Sequence, residues 1–118
     1  MGVFVWPLRL DSLDGERSLE VEAMVDTGAS YTIVPGRLLE GLGVTPIDKV
    51  RLTLADGSQV EFELGEAIAT VNERSISTLV AFGDDNARCL LGAYILEGLR
   101  LAVNPVDGKL APVTTAWA

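Results

Sequence analysis

The sequence predicts an all-β (mainly β) domain, a closed barrel carrying one or two short helices. Three observations carry this. Short apolar runs alternate with polar residues at period two, Asp-Gly pairs separate several of those runs, and no apolar helical periodicity lasts beyond about two turns. Residues 1–118 read as one domain, long enough for a single core and too short for two.

The first hairpin pairs "VFVWPLRL" with "SLEVEAMV" across "LDGER", where Asp14-Gly15 marks the turn. In its second strand Leu19, Val21, Ala23 and Val25 share one face, with Glu20 and Glu22 on the other. A turn at Gly28-Ala29-Ser30 leads to the short strand "YTIVP". "PGRLLEGLG" predicts a brief helix with Pro35 at its start, Leu38, Leu39 and Leu42 on one side, and Gly43 as the stop.

A second hairpin follows in "KVRLTLADGSQVEFEL", whose Asp56-Gly57 pair suits a type I′ turn. "EAIATVN" and "SISTLVAF" predict two more strands, joined near Asn72-Glu73. "GDDN" is a turn, since oxygen ligands do not continue at the spacing a calcium loop needs. "RCLLG" reads as an apolar strand, "AYILEGLR" as a second short helix, and "LAVNPVDGKLAPV" as a closing hairpin at Asp107-Gly108.

Composition narrows the chemistry. The formal charge is −8, and no basic cluster exists to displace counterions from phosphates, so nucleic acid is not expected as a partner. The single Cys89 excludes an intrachain disulfide and argues against a thiolate metal cluster; it reads as a buried structural thiol. The chain has no His, which removes Ser-His-Asp and Cys-His machinery and the commonest zinc sites. Neither metal nor cofactor is expected, and hydrolytic chemistry would run on carboxylates, hydroxyls, Lys or Tyr. The N-terminal apolar run is too short to span a bilayer and lacks a basic leader, so a cytoplasmic protein without membrane contact is expected.

One segment conflicts with an ordinary core. In "AMVDTGASYTIVP", residues 23–35, the carboxylate of Asp26 stands where the apolar strand pattern heads for the interior. A buried charge is costly unless it is paired, hydrogen-bonded or shares a proton. An Asp-Thr-Gly triplet alone arises by chance in roughly one chain in fifty of this length. Its context is therefore what counts: an apolar strand before it, small residues after it, and "LLG" at Leu90 to Gly92 running into a helix.

On these residues, and on "LLGAYILEGLRLAVNPVDGKL", the chain resembles the retropepsin-like aspartic proteases, especially their small bacterial and archaeal members. The resemblance covers nearly the whole chain. It implies that Asp26 activates a water as general base while a partner carboxyl acts as acid. Thr27 would lock the two active-site loops across a dimer axis, and Gly28 would let backbone approach the carboxylate. Ala29 would keep the site open, and Ser30 would hydrogen-bond substrate backbone. The hairpin tip Ala55, Asp56, Gly57 and Ser58 falls at the family's flap, and Met24, Ile33 and Leu90 are candidate subsite walls, with ordinary core as the competing reading.

The family mechanism needs two aspartates, and this chain holds one such triplet. The resemblance therefore implies a homodimer in which the two Asp26 side chains meet, acting on an extended peptide or protein substrate. Carboxylates about 3 Å apart at an effective dielectric of about 20 would repel by roughly 5 kcal/mol, about four pKa units of splitting, so the pair should share one proton. Two departures stand out. Where retroviral members pair an acidic residue with an Arg, this chain has Ser30 and Ala93, and its flap tip carries Asp56. Two other readings fit these departures: a dimeric peptide-binding or scaffold module of the same fold with weak or no catalysis, and a monomeric barrel in which Asp26 only caps a turn.

Overall fold

Alternation fixes the first hairpin, β1 (Val5–Asp11) with β2 (Ser18–Val25), in which Leu8, Leu10, Ala23 and Val25 are buried. In this computed structural model, which describes residues 4–113, the chain continues through β3 (Thr32–Pro35) and α1 (Gly36–Gly41). Then come β4 (Asp48–Thr53), β5 (Gln59–Val71), β6 (Arg74–Gly83), β7 (Leu90–Leu91), α2 (Ala93–Gly98), β8 (Leu101–Asn104) and β9 (Lys109–Pro112).

Seven strands form one mixed sheet in the order β1-β2-β7-β3-β6-β5-β4. Because β1 also pairs with β5, six of these strands run nearly closed into a barrel, and β4 hangs outside on β5. The pairings β2–β7 and β3–β6 are parallel, and the remaining pairings are antiparallel. Leu8, Leu10, Val34, Leu39, Val80, Leu91 and Ile95 are all at most 1% exposed and fill the interior. The expected mainly-β barrel with two short helices is the observed architecture.

Two local expectations are corrected. The stretches "VEFEL" and "EAIATV" form one 13-residue strand, β5, where two were expected. Gly65 joins them as a point of close approach: a Cβ there would lie 2.5 Å from Val44 Cγ1 and 3.0 Å from the Thr45 carbonyl oxygen. The strand passes through, with Gln59–Leu64 pairing β4 and Leu64–Val71 pairing β6. The β4–β5 turn is also not type I′. Gly57 takes φ +88° while Asp56 keeps a negative φ, and bonds from Gly57 N–H to the Leu54 carbonyl and from Leu54 N–H to the Ser58 carbonyl make a three-residue loop. The I′-like conformation falls instead at Asn72 and Glu73, with φ of +52° and +65°. There the Asn72 Oδ1 accepts the Trp6 indole N–H at 2.9 Å.

After α2, Arg100 turns the chain with φ +57°, and the Arg74 guanidinium donates to the Leu99 and Arg100 carbonyls. The β8–β9 hairpin forms a separate two-stranded sheet that buries Leu101 and Leu110. Among the described residues no helix is long and apolar enough to cross a membrane.

The contacts at Gly65 give a direct test. Gly65→Ala should lower unfolding stability by about 1–3 kcal/mol through overpacking against Val44 and the Thr45 backbone. Urea denaturation checks this, and an unchanged midpoint would contradict the assigned packing.

Candidate active site

Strand β2 ends at Val25, so Asp26 begins a loop. This corrects the expectation of an interior charge. Asp26 is partly exposed at the rim of the barrel, because the strand stops one residue before it. Its Oδ1 accepts the Gly28 N–H at 2.9 Å, and its carbonyl accepts the Ala29 N–H at 3.2 Å. A Cβ at Gly28 would stand 3.2 Å from that same Oδ1, so glycine is what lets the backbone close around the carboxylate.

Thr27, Gly28 and Ser30 are exposed, Ala29 is half-buried, and the Thr27 hydroxyl makes no hydrogen bond among the described residues. The loop thus presents an acidic group, a hydroxyl and bare backbone on one open surface.

The loop is braced from β7 and the start of α2. Asp26 N–H donates to the Leu91 carbonyl at 3.0 Å, Ala93 N–H to the Ala29 carbonyl at 2.7 Å, and Tyr94 N–H to the Ser30 carbonyl at 3.0 Å. Beneath them the Gly92 N–H donates to the Thr32 hydroxyl at 2.9 Å in a buried position. Any side chain at residue 92 would strike backbone, since a Cβ would lie 2.5 Å from the Tyr31 carbonyl oxygen and 3.0 Å from that of Ala29. Thr32 was not singled out from the sequence. Its signal was a hydroxyl inside an apolar β-run six residues after Asp26, and it is 1% exposed.

The three candidate subsite walls are neighbours. Leu90 lies opposite Met24 in the parallel β2–β7 pair and opposite Ile33 in the antiparallel β3–β7 pair. All three are half-buried, while the alternate residues Ala23, Val25, Thr32, Val34 and Leu91 face the core. Met24, Ile33 and Leu90 thus form an apolar row on the face away from the main core. Met24 is the penultimate residue of β2, so this row lies next to the point where the Asp26 loop begins.

Ala55, Asp56, Gly57 and Ser58 occupy the tip of the β4–β5 hairpin and are all exposed. No hydrogen bond among the described residues links them to the Asp26 loop. Asp56 caps its own turn through Oδ1, accepting from the Ser58 hydroxyl and from the Ser58 N–H at 2.9 Å. These bonds hold the Asp56 carboxyl below the ordinary carboxylate range, the hydroxyl contributing most. Cys89 is half-buried rather than buried, its carbonyl accepting the Met24 N–H, and burial pushes its thiol up. A thiol held protonated is a poor nucleophile. Among the described residues no group of His, Cys, Asp or Glu is placed to hold a metal.

Residues 14–98 match the sequence family described as "gag-polyprotein putative aspartyl protease". The chain belongs to this family. The match spans both the Asp26 loop and the Leu-Leu-Gly segment that braces it. No curated protein matches significantly. Among solved structures, the EIAV protease in complex with the inhibitor HBY-793 aligns at TM-score 0.59 and 19% identity, over 80% of this chain and 86% of that one. The simian foamy virus (mac) protease aligns at 0.52 and 22%, over 79% and 93%. The retroviral protease-like domain of Ddi1 from Leishmania major aligns at 0.58 and 16%, over 97% and 92%. At these identities the similarity shows a retropepsin-like fold.

Two predictions follow from the bracing and the turn. Thr32→Val should cost about 1–3 kcal/mol by leaving the buried Gly92 N–H without an acceptor, and Thr32→Ser should recover most of it, as read by urea unfolding. At the hairpin tip the ionised Asp56 favours the turn, so the turn should be intact above the ordinary carboxylate range and loosen as pH falls through the lowered folded value. The Ser58 amide shift in an NMR titration should follow that midpoint and go flat in Asp56→Asn.

Proposed function

We propose that the chain is one half of an aspartic endopeptidase, and that a homodimer completes the site by bringing two Asp26 carboxyls together. The observation that carries this reading is the Asp26 loop itself. It is tied by backbone to β7 and α2, yet it leaves its carboxylate, the Thr27 hydroxyl and Gly28 open on one surface.

In the dimer one carboxyl is ionised and the other protonated, as like charges at that distance require. The ionised Asp26 takes a proton from a water that attacks the scissile carbonyl carbon. The protonated Asp26 donates its proton to the carbonyl oxygen, giving a neutral gem-diol. Collapse breaks the C–N bond, with one gem-diol proton returning to a carboxylate and the departing nitrogen receiving the other carboxyl's proton. No charge accumulates beyond what the pair already holds.

The substrate is an extended peptide lying between the Asp26 loop and the β4–β5 hairpin, with main-chain hydrogen bonds as an added strand. Thr27 braces the two loops across the axis, and Ala29 leaves room for the peptide. Ser30 offers a hydroxyl to the substrate backbone, and Ala55, Asp56, Gly57 and Ser58 close over it. The row Met24, Leu90 and Ile33 supports this placement, being apolar, half-buried and carried by the strands that border the Asp26 loop. Apolar residues around the scissile bond are the expected preference.

Asp26→Asn should lower kcat on an unfolded protein or peptide library by about 10²–10⁴-fold. The wild-type rate against pH should be bell-shaped, because one ionised and one protonated carboxyl are required. Equal rates for the two chains, or a profile climbing steadily into alkaline pH, would contradict the reading.

A further inference from the structure

The bonds that brace the Asp26 loop differ in shelter. At the inner end, Gly92 N–H to Thr32 is buried, and Asp26 N–H meets the carbonyl of buried Leu91. At the outer end, Tyr94 N–H meets the carbonyl of Ser30, and both residues are exposed, Tyr94 by 52%. Water competes for those groups, so that bond alone holds the loop weakly. A reacting carboxyl has to be held to a fraction of an ångström, so its loop needs a further contact there.

No ion pair supplies it. The ion pairs among the described residues join Arg9 to Asp11 and Lys49 to Glu61, away from the loop, and positions 30 and 93 carry Ser and Ala. The contact present is aromatic. The rings of Tyr31, on the loop, and Tyr94, in the first turn of α2, meet edge to face with centroids 5.1 Å apart and planes at 82°. That distance and angle suit the opposed charge of ring edge and ring face. Tyr31 also contributes the carbonyl that packs on Gly92, so the pair spans the interval between the buried and exposed bonds.

We propose that Tyr31 and Tyr94 are positioning residues whose ring contact clasps the outer end of the Asp26 loop to α2 and so sets the direction of the Asp26 carboxyl. The proposal rests on the reading of Asp26 as a catalytic group. The clasp carries no charge, so added salt does not loosen it as it would an exposed ion pair.

The test uses the full chain with Tyr31→Leu, Tyr94→Leu, both together, and Tyr31→Phe and Tyr94→Phe. It measures amide hydrogen exchange at positions 93 and 94, together with kcat and KM. The Leu variants should exchange about three- to tenfold faster at those amides and lose kcat by a similar factor with KM within twofold. The double variant should be no worse than the poorer single one. The Phe variants, which keep the rings, should match wild type, and amides in the β5–β6 pairing should be unchanged throughout.

Unchanged exchange at 93 and 94, faster exchange without loss of kcat, additive losses, or a rise extending through β5–β6 would each overturn the clasp. An Asp26→Asn chain as active as wild type would overturn the catalytic reading and the positioning role with it. The exchange data distinguish that case from failure of the clasp itself.

Discussion

The architecture around Asp26 depends on one close approach of backbone to backbone. Gly92 passes so near the Tyr31 and Ala29 carbonyls that no side chain fits, and this lets its N–H reach the Thr32 hydroxyl while the next two amides reach the loop. Without it β7 could not lie between β2 and β3. The two residues of β7 are short for a strand, but they connect the barrel's parallel and antiparallel pairings. The row of Leu90 with Met24 and Ile33 exists for the same reason. The constraint thus links a sequence feature, a small residue after two leucines, to the orientation of a carboxylate some sixty residues earlier in the chain.

The ring closure has a second consequence. Strand β5 is shared between three neighbours, with its later half inside the barrel against β6 and β1 and its earlier half outside with only β4. The outer hairpin therefore lacks a packed second face. That is why Val60 in β5 and Leu54, just past the end of β4, remain exposed. Local stability follows the packing that supports it, so an element of this kind belongs to the part of a fold that can move. Its tip is held by its own chemistry, the Asp56 cap and the left-handed Gly57.

Much of this was legible in residues. Alternation in "SLEVEAMV" and the Asp-Gly pairs located the hairpins, and Pro35 and Gly43 bracketed α1, because these signals act over a few residues. What was illegible was non-local or ambiguous. Gly65 reads as a break between strands, since the sequence alone does not reveal that Val44, Thr45 and Phe82 crowd it. Asp56-Gly57 is compatible with two hairpin geometries, and the cap from Asp56 to Ser58 decides between them. The interior charge expected at Asp26 is a rim charge because β2 stops at Val25, where the turn preference of Asp-Thr-Gly overrides the apolar strand pattern before it. The partnership of Thr32 with Gly92 spans sixty positions and left only a lone hydroxyl in an apolar run as its trace.

The central claim is that one carboxyl per chain becomes an active site only in pairs. Subunit mixing tests it most directly: Asp26→Asn chains are equilibrated in increasing excess with a fixed amount of wild-type chain, and peptide cleavage is followed. If paired carboxyls do the chemistry, mixed dimers hold only one, and activity should fall toward zero as the altered chain captures the wild-type chains. Activity that stays constant per wild-type chain at every ratio, under conditions where the chains are shown to exchange, would mean that a single Asp26 suffices and that the pairing is wrong.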